Sequence, residues 1–343
     1  MIRGIALEPV SDWLVRHLPD AAAPFEFELI AAGGSNLTYR VSDADGHAWA
    51  LRRGPVSHRL PTAHDMGREW RIQEALHRHT DVPVPEPLAF CGDSSVNDSP
   101  FYVMGFAEGR ILRKVSDAAE MSEAECRTAT ESLVDVQVAF HSVDLEAIGL
   151  SDLARHHGYV ERQLNRWRKQ YERTGVRELP LLEELHGRLS KSVPPETMPP
   201  GLAHGDYRFD NTVLDPDCRI VAVLDWELCT IGDPLADFGW SLLYWGDPGD
   251  AMYFIPDVPT LHEAFMRREA YAELYARRGY SLEHVDYYTA FGWWKMACIV
   301  EGAYGRILGG AGGGMNRSGP VEETAQRVED LLEMSAEAAR GLI

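Results

Sequence analysis

The sequence predicts an α+β protein in two parts, a small antiparallel β-sheet part with one helix and a larger, mainly helical part. Three observations carry this expectation. Up to about residue 107, apolar and polar residues alternate in short runs set among helical segments at 7–20 and 66–76, and beyond it the apolar spacing turns helical. The third is the stretch Gly201–Trp245. Here Asp206, Asp210, Asp225, Glu227, Asp233 and an Asn surround the apolar run Ile220–Leu224, which reads as a fully buried strand.

In chain order, residues 7–20 form a short amphipathic helix with Trp13, Leu14 and Leu18 at helical spacing. Strands follow at 25–30, 38–41 and 47–53. Between the first two lies Gly33-Gly34-Ser35-Asn36, either a plain hairpin turn or a loop whose backbone N–H groups approach phosphate oxygens. Period-two alternation puts Ala50 and Arg52 on one face of the third strand and Arg53 on the other. A helix over 66–76 carries Glu69 and Glu74. The Pro-spaced 82–87 then starts an extended segment, and 101–104 is a buried strand.

The second part opens with Ser122-Glu123-Ala124-Glu125, a capping box for a helix that His141 closes. A long amphipathic helix covers 158–171, and its Tyr159, Arg162, Gln163 and Arg166 either line a substrate opening or form a solvated face. Asp233-Pro234 starts another helix with Pro in its first turn. Residues 261–301 read as helical, with Tyr271, Tyr275, Tyr287, Tyr288, Phe291, Trp293 and Trp294 mostly in the core. Gly309–Gly314 is a loop or connector, and a final helix covers about 321–340.

With a formal charge of −20, the chain is a poor partner for nucleic acid, whose phosphates demand a basic surface. Its five scattered cysteines lack any C-x-x-C spacing and read as reduced thiols. No apolar run reaches 18 residues, so no membrane span is expected, and a cytoplasmic location is predicted.

Two spacings carry chemistry. Asp206 and Asn211 stand five apart after His204-Gly205, and Asp225 follows the next apolar run. Phosphoryl transfer in the protein-kinase manner uses an Asp to orient the attacking hydroxyl, and an Asn with a second Asp to hold Mg²⁺. Arg208 falls where a cation would meet the transferring phosphoryl group. Protein kinases place a Lys on the third strand, but the four lysines here all lie at 114 or beyond, which leaves Arg52 for the α/β-phosphates. Glu69 matches the acid that pairs with that cation, with Glu74 as competitor.

The phrases HGDYRFDN (204–211), VLDWE (223–227) and GDPLADF (232–238) resemble the aminoglycoside phosphotransferase family of kinase-like small-molecule kinases. FHSVDLEAIGL and GYVERQLNRWRKQY are similar to its subfamily linked to acyl-CoA dehydrogenases. The resemblance implies a bilobal protein-kinase-like fold, with residues 1–107 as the nucleotide-binding lobe and 108–343 as the catalytic and substrate lobe. It implies ATP (or GTP) as donor and Mg²⁺ at Asn211 and Asp225. Asp206 and Arg208 would be catalytic, and Gly33, Gly34, Ser35, Asn36, Arg52 and Glu69 would serve the phosphates. Ala50 and the hinge residues Met104, Phe106 and Ala107 would hold the adenine. Asp237 or Asp233 would brace the catalytic loop. The acceptor is a small-molecule hydroxyl, of a hydroxy acid or hydroxyacyl compound rather than an aminoglycoside. Two alternatives stand beside this reading: a metal-dependent phosphohydrolase using His204, Asp206, Asp225 and Asp233, and a nucleotide-binding pseudokinase.

Overall fold

The computed structural model describes residues 2–32, 36–56, 65–248, 257–309 and 321–342. The chain divides into two compact units, Met1–Glu108 with Val221–Glu227, and Gly109–Ile220 with Leu228–Ile343.

The first unit is built on an antiparallel sheet. Its strands are β1 (Glu26–Ala32), β2 (Leu37–Ser42), β3 (Ala48–Arg53), β4 (Pro87–Cys91) and β5 (Phe101–Gly105), in the order β1-β2-β3-β5-β4. Alternation along β3 sorts its side chains. Trp49 and Leu51 join Tyr39, Val41, Phe101 and Val103 in a core closed by Trp13 and Leu14 of α1 (Leu7–His17). Ala50 faces the other way and packs with Met66, Tyr102 and Met104. That second face is covered by α2 (Met66–His79), whose N-cap Asp65 accepts the Arg68 N–H at 3.0 Å. The helix expected over 7–20 stops at His17, because Pro19 drives Leu18 into extended backbone.

The second unit holds the helices α3 (Glu123–His141), α4 (Tyr159–Thr174), α5 (Pro180–Lys191), α6 (Pro234–Leu242), α7 (Arg268–Arg277), α8 (Val285–Leu308) and α9 (Val321–Ala338). The Ser122–Glu125 capping box forms in full. Helix α5 went unanticipated, although Pro180 at its first turn and Leu182, Leu185 and Leu189 on one face announce it. The helical reading of 261–301 breaks between α7 and α8, where Gly279 takes φ +102°. The aromatic residues expected there in the core are buried. Gly309 caps α8, and 310–314 lie outside the described residues.

Short strands β6 (Gly201–Ala203) and β9 (Thr230–Gly232) pair antiparallel. Strand β8 (Ile220–Val223) corrects the fully buried reading. Its Val221 is 41% exposed while Ile220, Ala222 and Val223 are buried, so the run is apolar along its length yet open to solvent at one position.

β6 passes so close to α3 that a Cβ on Gly201 would stand 2.1 Å from the His141 carbonyl oxygen. A Cβ added to Gly187, in the interior of α5, would meet nothing within 4 Å beyond its own helix. The two glycines should therefore respond oppositely to alanine in thermal unfolding. Gly201→Ala should lose about 1–3 kcal/mol by overpacking. Gly187→Ala should gain up to about 1 kcal/mol of helix propensity.

Candidate active site

Two clusters collect the residues singled out in the sequence. In the first unit, Arg52 leaves β3 on the α2 side, buried together with Glu69, and the two pair at 2.9 Å. Arg53 points to the opposite face, where it meets Asp98 at 3.0 Å and the carbonyls of Gly4 and Gly54. Glu74 spends its charge on Arg78 at the surface. Behind the pair, the buried Tyr102 hydroxyl accepts from Gln73 Nε2 at 2.6 Å.

The segment 225–227 completes this cluster. Trp226 is fully buried and its Nε1 donates to the Val223 carbonyl at 3.1 Å, fixing a tight turn. Asp225 adopts φ +64° within it, a left-handed conformation that a short polar side chain tolerates. Asp225 reaches Arg52 Nη2 at 2.5 Å, and Glu227 stands 3.8 Å from the same nitrogen. Glu227 also accepts from Asn36 Nδ2 at 2.7 Å. Burial works against the charge on Arg52, but Glu69, Asp225 and Glu227 outweigh it and raise its pKa. Burial is also the larger influence on Glu69, and it raises that pKa despite Arg52.

Three carboxylates thus surround one guanidinium, an excess of negative charge that a divalent cation would offset. Asp225 is the most open of the three, and its hard oxygens suit Mg²⁺. Ala50 lies opposite Met104 in the sheet register, and Phe106 sits under the Arg40 guanidinium at 5.1 Å. Ala107 is half-buried near the end of this unit. Gly33, Gly34 and Ser35 fall outside the described residues.

In the second unit the loop 204–211 alternates anchors with polar groups. Tyr207 is buried and donates its hydroxyl to the Leu133 carbonyl at 2.9 Å, and Phe209 is buried against Trp245 and Phe265. Asp206, Arg208 and Asp210 occupy the intervening positions. Asn211 Nδ2 donates to the Asp206 carboxylate at 2.9 Å and to its carbonyl at 2.8 Å. With both bonds made by the amide nitrogen, Oδ1 is the Asn211 atom suited to a metal. Arg208 sits 3.3 Å from Asp206 and 3.0 Å from Asp210, over the Tyr244 ring. Tyr244 itself donates to Asp206.

Beneath the loop lies Asp237 of α6. Its carboxylate accepts the N–H groups of His204 at 3.1 Å and Gly205 at 2.7 Å, and meets His141 Nε2 at 3.0 Å. His141 Nδ1 is joined in turn to the Tyr275 hydroxyl at 2.8 Å. Burial would raise the Asp237 pKa, but the His141 hydrogen bond, the neighbouring histidines and the Gly205 N–H reverse it, and the pKa falls. Asp233 instead caps α6 through the Leu235 N–H and accepts the Tyr288 hydroxyl at 2.6 Å. His204 is buried, and its Nδ1 accepts the Asp206 N–H at 3.3 Å. Tyr102, Tyr244 and the His141–Tyr275 support were not legible as site residues. The Asp237/Asp233 alternative resolves to Asp237 under the loop.

With this geometry in view, a family model described as the phosphotransferase enzyme family (APH) matches residues 26–279. The chain belongs to this family. Acyl-CoA dehydrogenase family member 11 of Gallus gallus is 34% identical, over 96% of this phosphotransferase and 43% of the relative. The chain spans about two fifths of the length of such relatives. A Ralstonia eutropha JMP134 structure named for the aminoglycoside phosphotransferases is 31% identical, with a TM-score of 0.81 and 98% of each chain covered. A thermostable mutant of aminoglycoside phosphotransferase APH(4)-Ia, in complex with ADP and hygromycin B, shares the fold. Its TM-score is 0.63 at 15% identity, over 95% of this chain and 99% of that one. These likenesses establish the kinase-like fold and the phosphotransferase type. No helix among the described residues is long and apolar enough to cross a membrane.

Two outcomes follow from the buried ion groups. Arg52→Ala should destabilise the protein by about 3–5 kcal/mol by leaving Glu69 buried and unpaired, and Arg52→Met with Glu69→Leu should recover most of this in urea unfolding. Asp237, with its folded pKa below the unfolded value near 4, adds stability that is present above that value. This contribution is lost as pH falls through the folded pKa. Asp237→Asn should lower neutral stability by about 1–3 kcal/mol and flatten the acid limb of a stability–pH curve.

Proposed function

We propose that this phosphotransferase moves the γ-phosphoryl group of ATP or GTP, with Mg²⁺, onto the hydroxyl of a small organic acceptor. The observation that carries the reading is the presentation of Asp206. Its carboxylate is oriented by Asn211, Arg208 and Tyr244, on a loop pinned by Tyr207 and Phe209 and supported by Asp237. Asp206 orients the acceptor hydroxyl and takes its proton as the new O–P bond forms and the bond to the nucleotide leaving group breaks. Arg208 holds the Asp206 carboxylate and is the cation nearest to it for the charge that develops on the phosphoryl group.

Arg52, kept charged by its acids, serves the α/β-phosphates, with Asn36 and the glycines before it as phosphate cover. Asp225 in the first unit and Asn211 in the second each carry an oxygen that would suit Mg²⁺, and the ion would neutralise phosphate charge. Ala50, Met104, Phe106 and Ala107 offer the apolar surface for a purine. Because the protein does little covalent chemistry, positioning and electrostatics supply the rate.

For the acceptor, the likeness to acyl-CoA dehydrogenase family proteins favours a hydroxy acid or hydroxyacyl compound over an aminoglycoside. The phosphohydrolase alternative loses ground because His204 and Asp233 are engaged in scaffolding. We place the reaction in the cytoplasm.

Asp206→Ala should lower kcat by about 10²–10⁴-fold in an ADP-release assay while nucleotide affinity, read by calorimetry, is retained. Undiminished turnover of that variant, or phosphate release from phosphoesters without nucleotide by the wild type, would overturn the assignment.

A further inference from the structure

Lys295 stands apart from the machinery described so far. It lies on α8, half-buried, with Nζ 4.0 Å from the centre of the Trp240 ring. Among the described residues it forms no ion pair with a carboxylate, and its charge is felt by Asp206, Asp237 and Arg166. Arg166, on α4, likewise has no acidic partner among the described residues and rests over Trp167. Lys295 therefore brings a cation without a carboxylate partner towards Asp206, the Trp240 ring beneath it lying 6.2 Å from the Tyr244 ring that Arg208 covers. Arg166 adds like charge, with Asp237 already committed to His141, His204 and Gly205. Like charges held together cost free energy that an anion between them would offset.

We propose that Lys295, with the like charge of Arg166 in support, binds the carboxylate of the acceptor and so makes this phosphotransferase selective for hydroxy acids. The proposal rests on the reading of Asp206 as the group that receives the acceptor hydroxyl. The Trp240 face holds the ammonium in position by cation–π attraction without neutralising it. The same two cations disfavour a polycationic sugar acceptor, whatever the overall charge of −20 suggests.

The electrostatic surroundings agree. Burial pulls the Lys295 ammonium down to about 8, with Arg166 adding to the fall and Asp237 and Asp206 opposing it. These charged groups face Lys295 from α4, from α6 and from the 204–211 loop. Carboxylate binding should accordingly weaken as pH rises through about 8.

The test uses hydroxybutyrate, its neutral amide hydroxybutyramide, and butanediol as acceptors for the full chain with Mg-ATP. The wild type should prefer the acid. Lys295→Met should raise KM for hydroxybutyrate on the order of 10- to 100-fold while kcat and the amide and diol KM values change little. Lys295→Arg should restore most of the preference. An equal effect of Lys295→Met on all three acceptors would overturn the carboxylate site and leave the phosphotransferase reading intact. If the wild type phosphorylates none of them, the acceptor reading fails, and the site is judged by binding alone. Acetylation of Lys295, followed by mass spectrometry against Lys114, Lys169 and Lys191, should be slowed by hydroxybutyrate and not by butanediol. Equal labelling in both would remove the site.

Discussion

The shape of the 204–211 loop rests on one buried carboxylate. A charge as enclosed as that of Asp237 is tolerable only when its lone pairs are filled, and two of its partners are the backbone N–H groups of His204 and Gly205. Those bonds fix the chain immediately before Asp206. The third partner, His141, is the last residue of α3, and its carbonyl lies against β6, which feeds the same loop. Helix α3, strand β6 and helix α6 therefore meet through a single side chain. The glycine at 201 and the left-handed Gly205, φ +83°, are what this closeness requires.

The first unit solves a different electrostatic problem. It gathers Glu69, Asp225 and Glu227 around one cation, and the cation is an arginine. A lysine so deeply buried could lose its proton, whereas a guanidinium among three acids stays charged and can divide its nitrogens between them. Nε faces Glu69 and Nη2 faces Asp225, a division that an ammonium, with one nitrogen, could not make.

Much of this was readable in the chain because it depends on local rules. Alternation along β3 separated Arg52 from Arg53, the capping box set the start of α3, and the Asp206–Asn211 spacing carried the loop. What escaped was fixed by packing between distant segments. Tyr102, Tyr244 and Tyr275 look like any core aromatic until their hydroxyls are seen on Gln73, Asp206 and His141. Val221 sits in an unbroken apolar run, and no periodicity reveals that this one member is left uncovered. Lys295 stands in an aromatic-rich stretch, and only the fold brings Trp240 beneath it.

One spacing on α6 ties these parts together. Asp237, Trp240 and Tyr244 fall three and then four residues apart, on adjoining turns of the helix and the turn that follows it. The first supports the loop, the second carries Lys295 and the third touches the Asp206 carboxylate. Asp206 on its loop and Lys295 on α8 are thereby both referred to one helix. Were Asp206 to take the hydroxyl and Lys295 the carboxylate of an acceptor, such a helix would act as a gauge, reading the number of bonds between the two groups.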